Sequence, residues 1–291
     1  MAAYVVFNTT LLELKKEKKQ KTFFFVMHPE PSRRLTLPKP SIFMPSRFPS
    51  SMPNSAKNKI IIAVDAPNAK AALKLVDQLS GQGCLFKIGL QLFTAEGPSI
   101  VREIQARGAR VFLDLKFHDI PNTAREAVHS AVALGVDMTT IHLCGGPEMV
   151  GESVRAANDS NTLVLGVSVL TSMDEASLRA VSVPMPPRDQ VLHLAQMGVA
   201  NGLRGIVASP LELAPLREKF GSALTIVTPG VRPAGSDTGD QKRIMTPGDA
   251  IRAGADYLVI GRPITGAPSP TDALESIADE MATALMDARS A

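Results

Sequence analysis

An α/β barrel of eight parallel strands, (β/α)8, is the fold that this 291-residue sequence predicts. Three observations predict it. From Ile60 onward the chain repeats one theme: a short β-branched run, then turn residues, then apolar positions at a period near 3.6. Eight such runs fall within about 230 residues, the size of a closed eight-fold barrel rather than of an open doubly wound sheet. No Gly-x-Gly-x-x-Gly turn follows the first run, as a dinucleotide-binding sheet would require.

The expected strands are residues 60–65, 85–89, 111–116, 138–142, 163–168, 205–209, 224–228 and 257–261. Most begin 25 to 27 residues after the one before, room for the single crossover helix that parallel neighbours need. After the first strand that helix is read from Ala69, Ala72, Leu73, Val76 and Leu79, apolar at helical spacing. After the second it is read from Ile100, Val101 and Ile104. Strand and helix alternating to the end of the chain give a parallel sheet, here closed as a TIM barrel over residues 59–291.

Residues 1–58 read differently. They hold seven prolines, the run Lys15-Lys16-Glu17-Lys18-Lys19, and a Ser/Arg/Pro-rich stretch with neither helical nor strand period, so the expectation is a disordered basic extension. Ten Lys and Arg against three Asp and Glu leave +7 there, and the remaining 21 against 25 leave −4 on the body. A mildly acidic body offers no extended basic face for a polyanion, which excludes nucleic acid as a partner. The extension suits either a targeting segment or a physiological start at Met52. Its run Phe23-Phe24-Phe25-Val26-Met27 lies between Lys21 and His28, and nowhere does the chain reach the roughly 18 apolar residues of a membrane span. Two cysteines, Cys84 and Cys144, make neither a disulfide framework nor a four-ligand zinc site and point to a reducing, cytoplasmic compartment.

In barrels of this kind the site lies at the C-terminal ends of the strands. Those ends carry Asp65, Lys87, Asp114, Lys116, His142, Ser168, Thr171, Arg232 and Arg262. The densest signal is Asp114-Leu115-Lys116-Phe117-His118-Asp119-Ile120-Pro121-Asn122-Thr123. With a side-chain period of two, Asp114 and Lys116 share one side of their strand, and Leu113 and Leu115 take the other. Lys87 ends the neighbouring strand, so an alternating array of Lys87, Asp114, Lys116 and Asp119 is expected, with the flanking carboxylates favouring the charged amines. A charged amine is a proton donor, not a Schiff-base nucleophile. The next helix is expected to open at Thr123, where Thr-Ala-Arg-Glu126 has capping-box spacing.

These residues resemble orotidine 5′-phosphate decarboxylase of the bacterial type. Besides residues 114–123, the resemblance rests on Ala63-Val64-Asp65, Lys87-Ile88-Gly89, Val169-Leu170-Thr171-Ser172, Thr228-Pro229-Gly230-Val231-Arg232-Pro233, Gly239-Asp240-Gln241-Lys242-Arg243 and Gly261-Arg262-Pro263-Ile264. It runs from about Ile60 to about Asp279 with every motif in order. The departures are the extension, Val64, and Cys144 in His142-Leu143-Cys144-Gly145-Gly146, none of which touches the charged set.

The resemblance implies loss of CO2 from orotidine 5′-phosphate to give UMP, with no metal and no organic cofactor. It implies Lys116 as proton donor to C6, Asp114 against the departing carboxylate, and a homodimer in which Asp119 and Thr123 reach across the interface. It further implies that Asp65 and Lys87 hold the ribose hydroxyls, Thr171 the pyrimidine edge, and Arg232, Gly261 and Arg262 the phosphate. Gln241 would touch the nucleotide from a closing loop between Arg232 and Gln241. Three rivals remain: a metal-dependent barrel acting on a keto-sugar phosphate through the same Asp-x-Lys-x-x-Asp, a silent phosphate-ligand binder, and a Cys-His hydrolase on His142 and Cys144. For the last, Cys144 reads more simply as a small buried hydrophobe.

Overall fold

A computed structural model describes residues 56–233 and 245–290. Eight parallel strands close into a barrel in sequential order: β1 Ile60–Val64, β2 Leu85–Gly89, β3 Arg110–Phe117, β4 Met138–His142, β5 Leu163–Val167, β6 Gly205–Val207, β7 Thr225–Pro229 and β8 Tyr257–Ile260. Ile60↔Leu258 and its neighbours pair β1 with β8 and complete the ring. Every strand falls within two residues of its expected bounds.

The sequence of β1, Ile-Ile-Ile-Ala-Val, is apolar throughout because both of its faces are covered. Ile61 and Ala63 point inward and join Leu85, Phe112, Met138, Leu165, Val227 and Val259 in a core that fills the barrel. Ile60, Ile62 and Val64 point outward into a larger layer under the helices. That layer is supplied by α1 Ala69–Leu79, α2 Leu90–Glu96, α3 Pro98–Gln105, α4 Pro121–Ala133, α5 Gly146–Arg155, α6 Glu175–Ala180, α7 Pro187–Ala200, α8 Leu213–Phe220, α9 Pro247–Arg252, α10 Arg262–Thr265 and α11 Pro270–Ser290. Ala72, Val76 and Leu79 are buried on α1 and Ile100, Val101 and Ile104 on α3, the stripes that the spacing predicts.

Two boundaries differ from expectation. Ala56 and Lys57, counted with the extension, pack against the barrel: Lys57 is buried, ion-paired with Glu275, and donates to Gln82 Oε1 at 3.0 Å. Helix α4 opens at Pro121, two residues before Thr123, with Ile120 as its N-cap and no side-chain cap. Proline's fixed φ and missing N–H suit the first helical position, so Pro121 starts the helix and leaves Thr123 exposed in its first turn.

Strand β3 carries the main irregularity. Its pairing with β4 runs through Leu113↔Thr139 and resumes at Phe117↔Ile141, so four steps along β3 match two along β4. Lys116 sits in this bulge with φ at +51°, a left-handed conformation.

No helix among the described residues is long and apolar enough to cross a membrane.

Candidate functional site

The C-terminal ends of β1, β2 and β3 bring four charged side chains into one row. The Lys116 ammonium donates to both Asp114 carboxylate oxygens at 2.8 Å. Lys87 Nζ lies 3.9 Å from Asp114 Oδ2 on one side and 3.4 Å from Asp65 Oδ1 on the other. Side-chain exposure is 68% at Asp65 and 28% at Lys116, the two ends of the row, and 12% at Lys87 and 13% at Asp114 between them. The inner pair is thus largely shielded from water, where charge–charge interaction is stronger, while Asp65 stands at the rim. These four residues, with Gly89, line a cavity of about 130 Å³.

The row differs in composition from the expected one. Asp65 occupies an end, whereas Asp119 stands apart within a single chain, exposed, its Oδ1 accepting the Ile120 N–H at 2.7 Å. Asp119 lies beyond the strand on the turn into α4 and Thr123 in the first turn of that helix, both exposed. Asp114 and Lys116 do meet, as period two anticipates, yet through the bulge and the positive φ rather than along a regular pleat.

Small residues shape the space. A Cβ added at Gly89 would lie 3.2 Å from Lys87 Nζ, and one at Gly261 would lie 3.5 Å from the Ala63 Cβ and 3.9 Å from Asp65 Oδ2. Gly261 therefore sets the end of β8 beside the carboxylate end of the row. Arg262 follows it, exposed, at the start of α10. At the end of neighbouring β7, Gly230 takes φ +78°, which a residue with a Cβ adopts only with strain, and turns the chain into Val231 and Arg232. Arg232 is buried; its Nη1 donates to the Val231 carbonyl at 2.9 Å, and its N–H to the Met245 carbonyl at 3.0 Å. Thr171 lies half-buried in the turn after β5. Gln241 and most of the expected closing loop lie outside the described residues.

On the β4 side, the His142 ring centroid is 5.5 Å from that of His118. Burial, then the His118 and Lys116 charges, hold the His142 imidazole below the ordinary value of 6.5, against an opposing pull from Asp114. The folded chain thus binds this proton less readily than the unfolded chain. The contribution to stability is complete above about pH 6.5 and is lost as pH falls from there toward the lower folded value. Melting temperatures measured from pH 7.5 down to 5 should fall, and His142→Gln should flatten the slope; an unaltered slope would remove His142 as its source.

Cys144 is exposed, not buried as expected, because in the turn Leu143–Gly145 it is Leu143 that enters the core. Its Sγ lies 4.0 Å from His118 Nε2, and partial desolvation pushes its thiol above the ordinary value, which keeps it protonated and weakens the hydrolase reading. Among the described residues no group of three or more His, Cys, Asp or Glu is placed to hold a metal ion.

One member of the site escaped the sequence reading. Thr140, fully buried on β4, accepts the Lys116 backbone N–H at 2.8 Å and donates to Asp114 Oδ1 at 3.0 Å. The available signal was a hydroxyl two residues after Met138, on the face of β4 that Met138 turns into the barrel.

Comparison with known proteins adds three findings. Residues 58–277 match the model of the family described as orotidine 5′-phosphate decarboxylase / HUMPS. A protein of Moorella thermoacetica named orotidine 5′-phosphate decarboxylase is 50% identical over 234 residues, covering 78% of this chain and 93% of its own, and one of that name from Vibrio campbellii is 47% identical over 228 residues, covering 77% and 98%. The crystal structure of orotidine 5′-phosphate decarboxylase from Lactobacillus acidophilus superimposes with a TM-score of 0.69 at 34% identity, over 76% of this chain and 98% of that one.

Proposed function

The chain belongs to the orotidine 5′-phosphate decarboxylase / HUMPS family, and from that membership and the charged row we propose that it converts orotidine 5′-phosphate to UMP and CO2 in pyrimidine biosynthesis, without metal or organic cofactor. The observation that carries the reading is the Lys116 ammonium held 2.8 Å from both oxygens of Asp114 at the rim of the barrel.

Breaking the bond between C6 and the substrate carboxylate releases CO2 and leaves the electron pair on C6. That pair is held in a vinyl-type orbital that the ring cannot delocalise as it would an enolate, so the protein must supply opposing charge. Lys116 supplies it: Nζ faces C6, gives it a proton to form the C6–H bond of UMP, and regains a proton from water. Asp114 sits against the departing carboxylate and orients the ammonium. Two carboxylates about 4 Å apart repel by roughly 4 kcal/mol at an effective dielectric near 20, worth about three decades of rate if wholly relieved. Enzymes lower barriers by about 8–23 kcal/mol, so repulsion is the lesser effect and stabilisation of the carbanion by Lys116 the greater.

The remaining residues bind. Asp65 and Lys87 take the ribose hydroxyls, Thr171 the pyrimidine edge, and Arg232, Arg262 and the Gly261 backbone the phosphate. Contiguity of β7, β8, β1, β2 and β3 supports this, since it orders phosphate, ribose and reacting carbon along one arc of the rim. In the active homodimer, Asp119 and Thr123 complete the partner's site, which fits their exposure, Asp119 on the turn into α4 and Thr123 in the first turn of that helix. The exposed free thiol of Cys144 suits a cytoplasmic setting.

The test is direct. Added to orotidine 5′-phosphate, the purified protein should deplete its ultraviolet absorbance and release stoichiometric UMP and CO2 at a rate unchanged by a strong chelator. Activity lost to the chelator and restored by a divalent cation would replace the cofactor-free reading with the metal-dependent one.

A further inference from the structure

We propose that Thr140 is a positioning residue for this reaction: its hydroxyl ties the Lys116 backbone to the Asp114 carboxylate and so fixes the direction in which the ammonium points. The inference rests on the reading of Lys116 as the proton donor. It begins with a backbone problem. Where β3 bulges away from its register with β4, Lys116 adopts φ +51°; among described residues other than glycine only Ser182 shares the positive sign. A lysine in that conformation persists only where its surroundings hold it.

Thr140 is what holds it. A backbone N–H can only donate, so the 2.8 Å contact makes Thr140 Oγ1 the acceptor from Lys116. The hydroxyl proton is then free to go to Asp114 Oδ1, 3.0 Å away. Both Asp114 oxygens in turn accept from the Lys116 ammonium. The result is a closed loop: lysine backbone to threonine hydroxyl, hydroxyl to carboxylate, carboxylate to the head group of the same lysine. Thr140 itself cannot drift, being fully buried in the middle of β4. Its neighbour Thr139 is equally buried but donates to the Leu113 carbonyl at 3.1 Å and has no part in the loop.

Valine keeps the shape of threonine and removes the oxygen, leaving the Lys116 N–H without its acceptor and Asp114 Oδ1 with the Lys116 ammonium but not the hydroxyl. A displacement of about 1 Å at a reacting group costs on the order of 10²-fold in rate. The experiment measures kcat and KM on orotidine 5′-phosphate, the Kd of UMP and the Tm for the wild type, Thr140→Val, Thr140→Ser and Thr139→Val. Expected are a fall in kcat of about 10- to 100-fold in Thr140→Val with KM and UMP affinity within about threefold, recovery to within about threefold in Thr140→Ser, and wild-type kcat in Thr139→Val. The proposal is overturned if Thr140→Val keeps its kcat, if the loss falls on KM or UMP affinity instead, if serine does not restore the rate, or if Thr139→Val loses as much. Should the valine chain not fold, Thr140→Ala carries the same test. Failure of both to fold also overturns it, since the hydroxyl would then hold the barrel together rather than the lysine in place. A wild-type chain with no decarboxylase activity strikes down the reading of the site and this inference together, whereas an active wild type beside an equally active Thr140→Val strikes down the inference alone.

Discussion

Alanine at Lys116 is expected to lower the turnover of orotidine 5′-phosphate by at least about 10⁴-fold while UMP binds nearly as before. Two effects combine in that figure. Removing a positioned general acid costs about 10² to 10⁴, and removing a charge aimed at a developing anion costs about 10² to 10³. In the structure Asp114 also loses the ammonium that binds both of its oxygens, leaving Lys87 at 3.9 Å as its remaining cation and the departing carboxylate to face an ill-compensated anion. Affinity for product should survive. UMP has no carboxylate at C6, and its phosphate and ribose would be held at the ends of β7, β8, β1 and β2, away from the substituted side chain. Single-turnover rates and the Kd of UMP check the two halves separately. A variant retaining more than about a hundredth of the wild-type rate would end the assignment of Lys116 as proton donor.

Mixing two inactive chains is expected to restore activity, the second large effect. If Asp119 serves the partner's site, Lys116→Ala and Asp119→Ala homodimers are both inactive, each with a defect in every site. In the mixed dimer, the Asp119→Ala chain retains Lys116 and receives an intact Asp119 from the Lys116→Ala chain, so one of its two sites is whole. Random pairing in equal amounts, with two-fold symmetry, predicts about a quarter of the wild-type rate. The measurement is the rate recovered after unfolding and refolding the two together, against each refolded alone. Persistent inactivity of the mixture would show that Asp119 works within its own chain, where the structure finds it exposed and bonded to the Ile120 N–H, apart from the lysines.

Much of this molecule was legible in one dimension. Buried parallel strands need apolar runs on both faces, and crossovers need helices of a certain length; both constraints are local and repeat eight times. Ile60–Val64 could be read as a strand with no knowledge of its partners, and the charged residues ending such runs could be assigned to one rim because every parallel strand ends there. Asp65, Lys87, Asp114 and Lys116 were found in that way.

What pattern could not supply was the relation between strands. The bulge between β3 and β4 is a mismatch of register, which exists only once two segments lie side by side. From it follow the left-handed Lys116 and the contact with Thr140, a residue whose hydroxyl looks idle within its own strand. Cys144 was misread for a related reason. In a turn as short as Leu143–Gly145 the exposed side chain is decided by what the barrel leaves room for, not by the side chain's own hydrophobicity. The order of residues determined the barrel, its rim and the charges on it, because hydrophobic period and strand ends are properties of single segments. The tertiary structure alone decided which of those charges touch and what holds the lysine, because contact depends on register between segments distant in the chain.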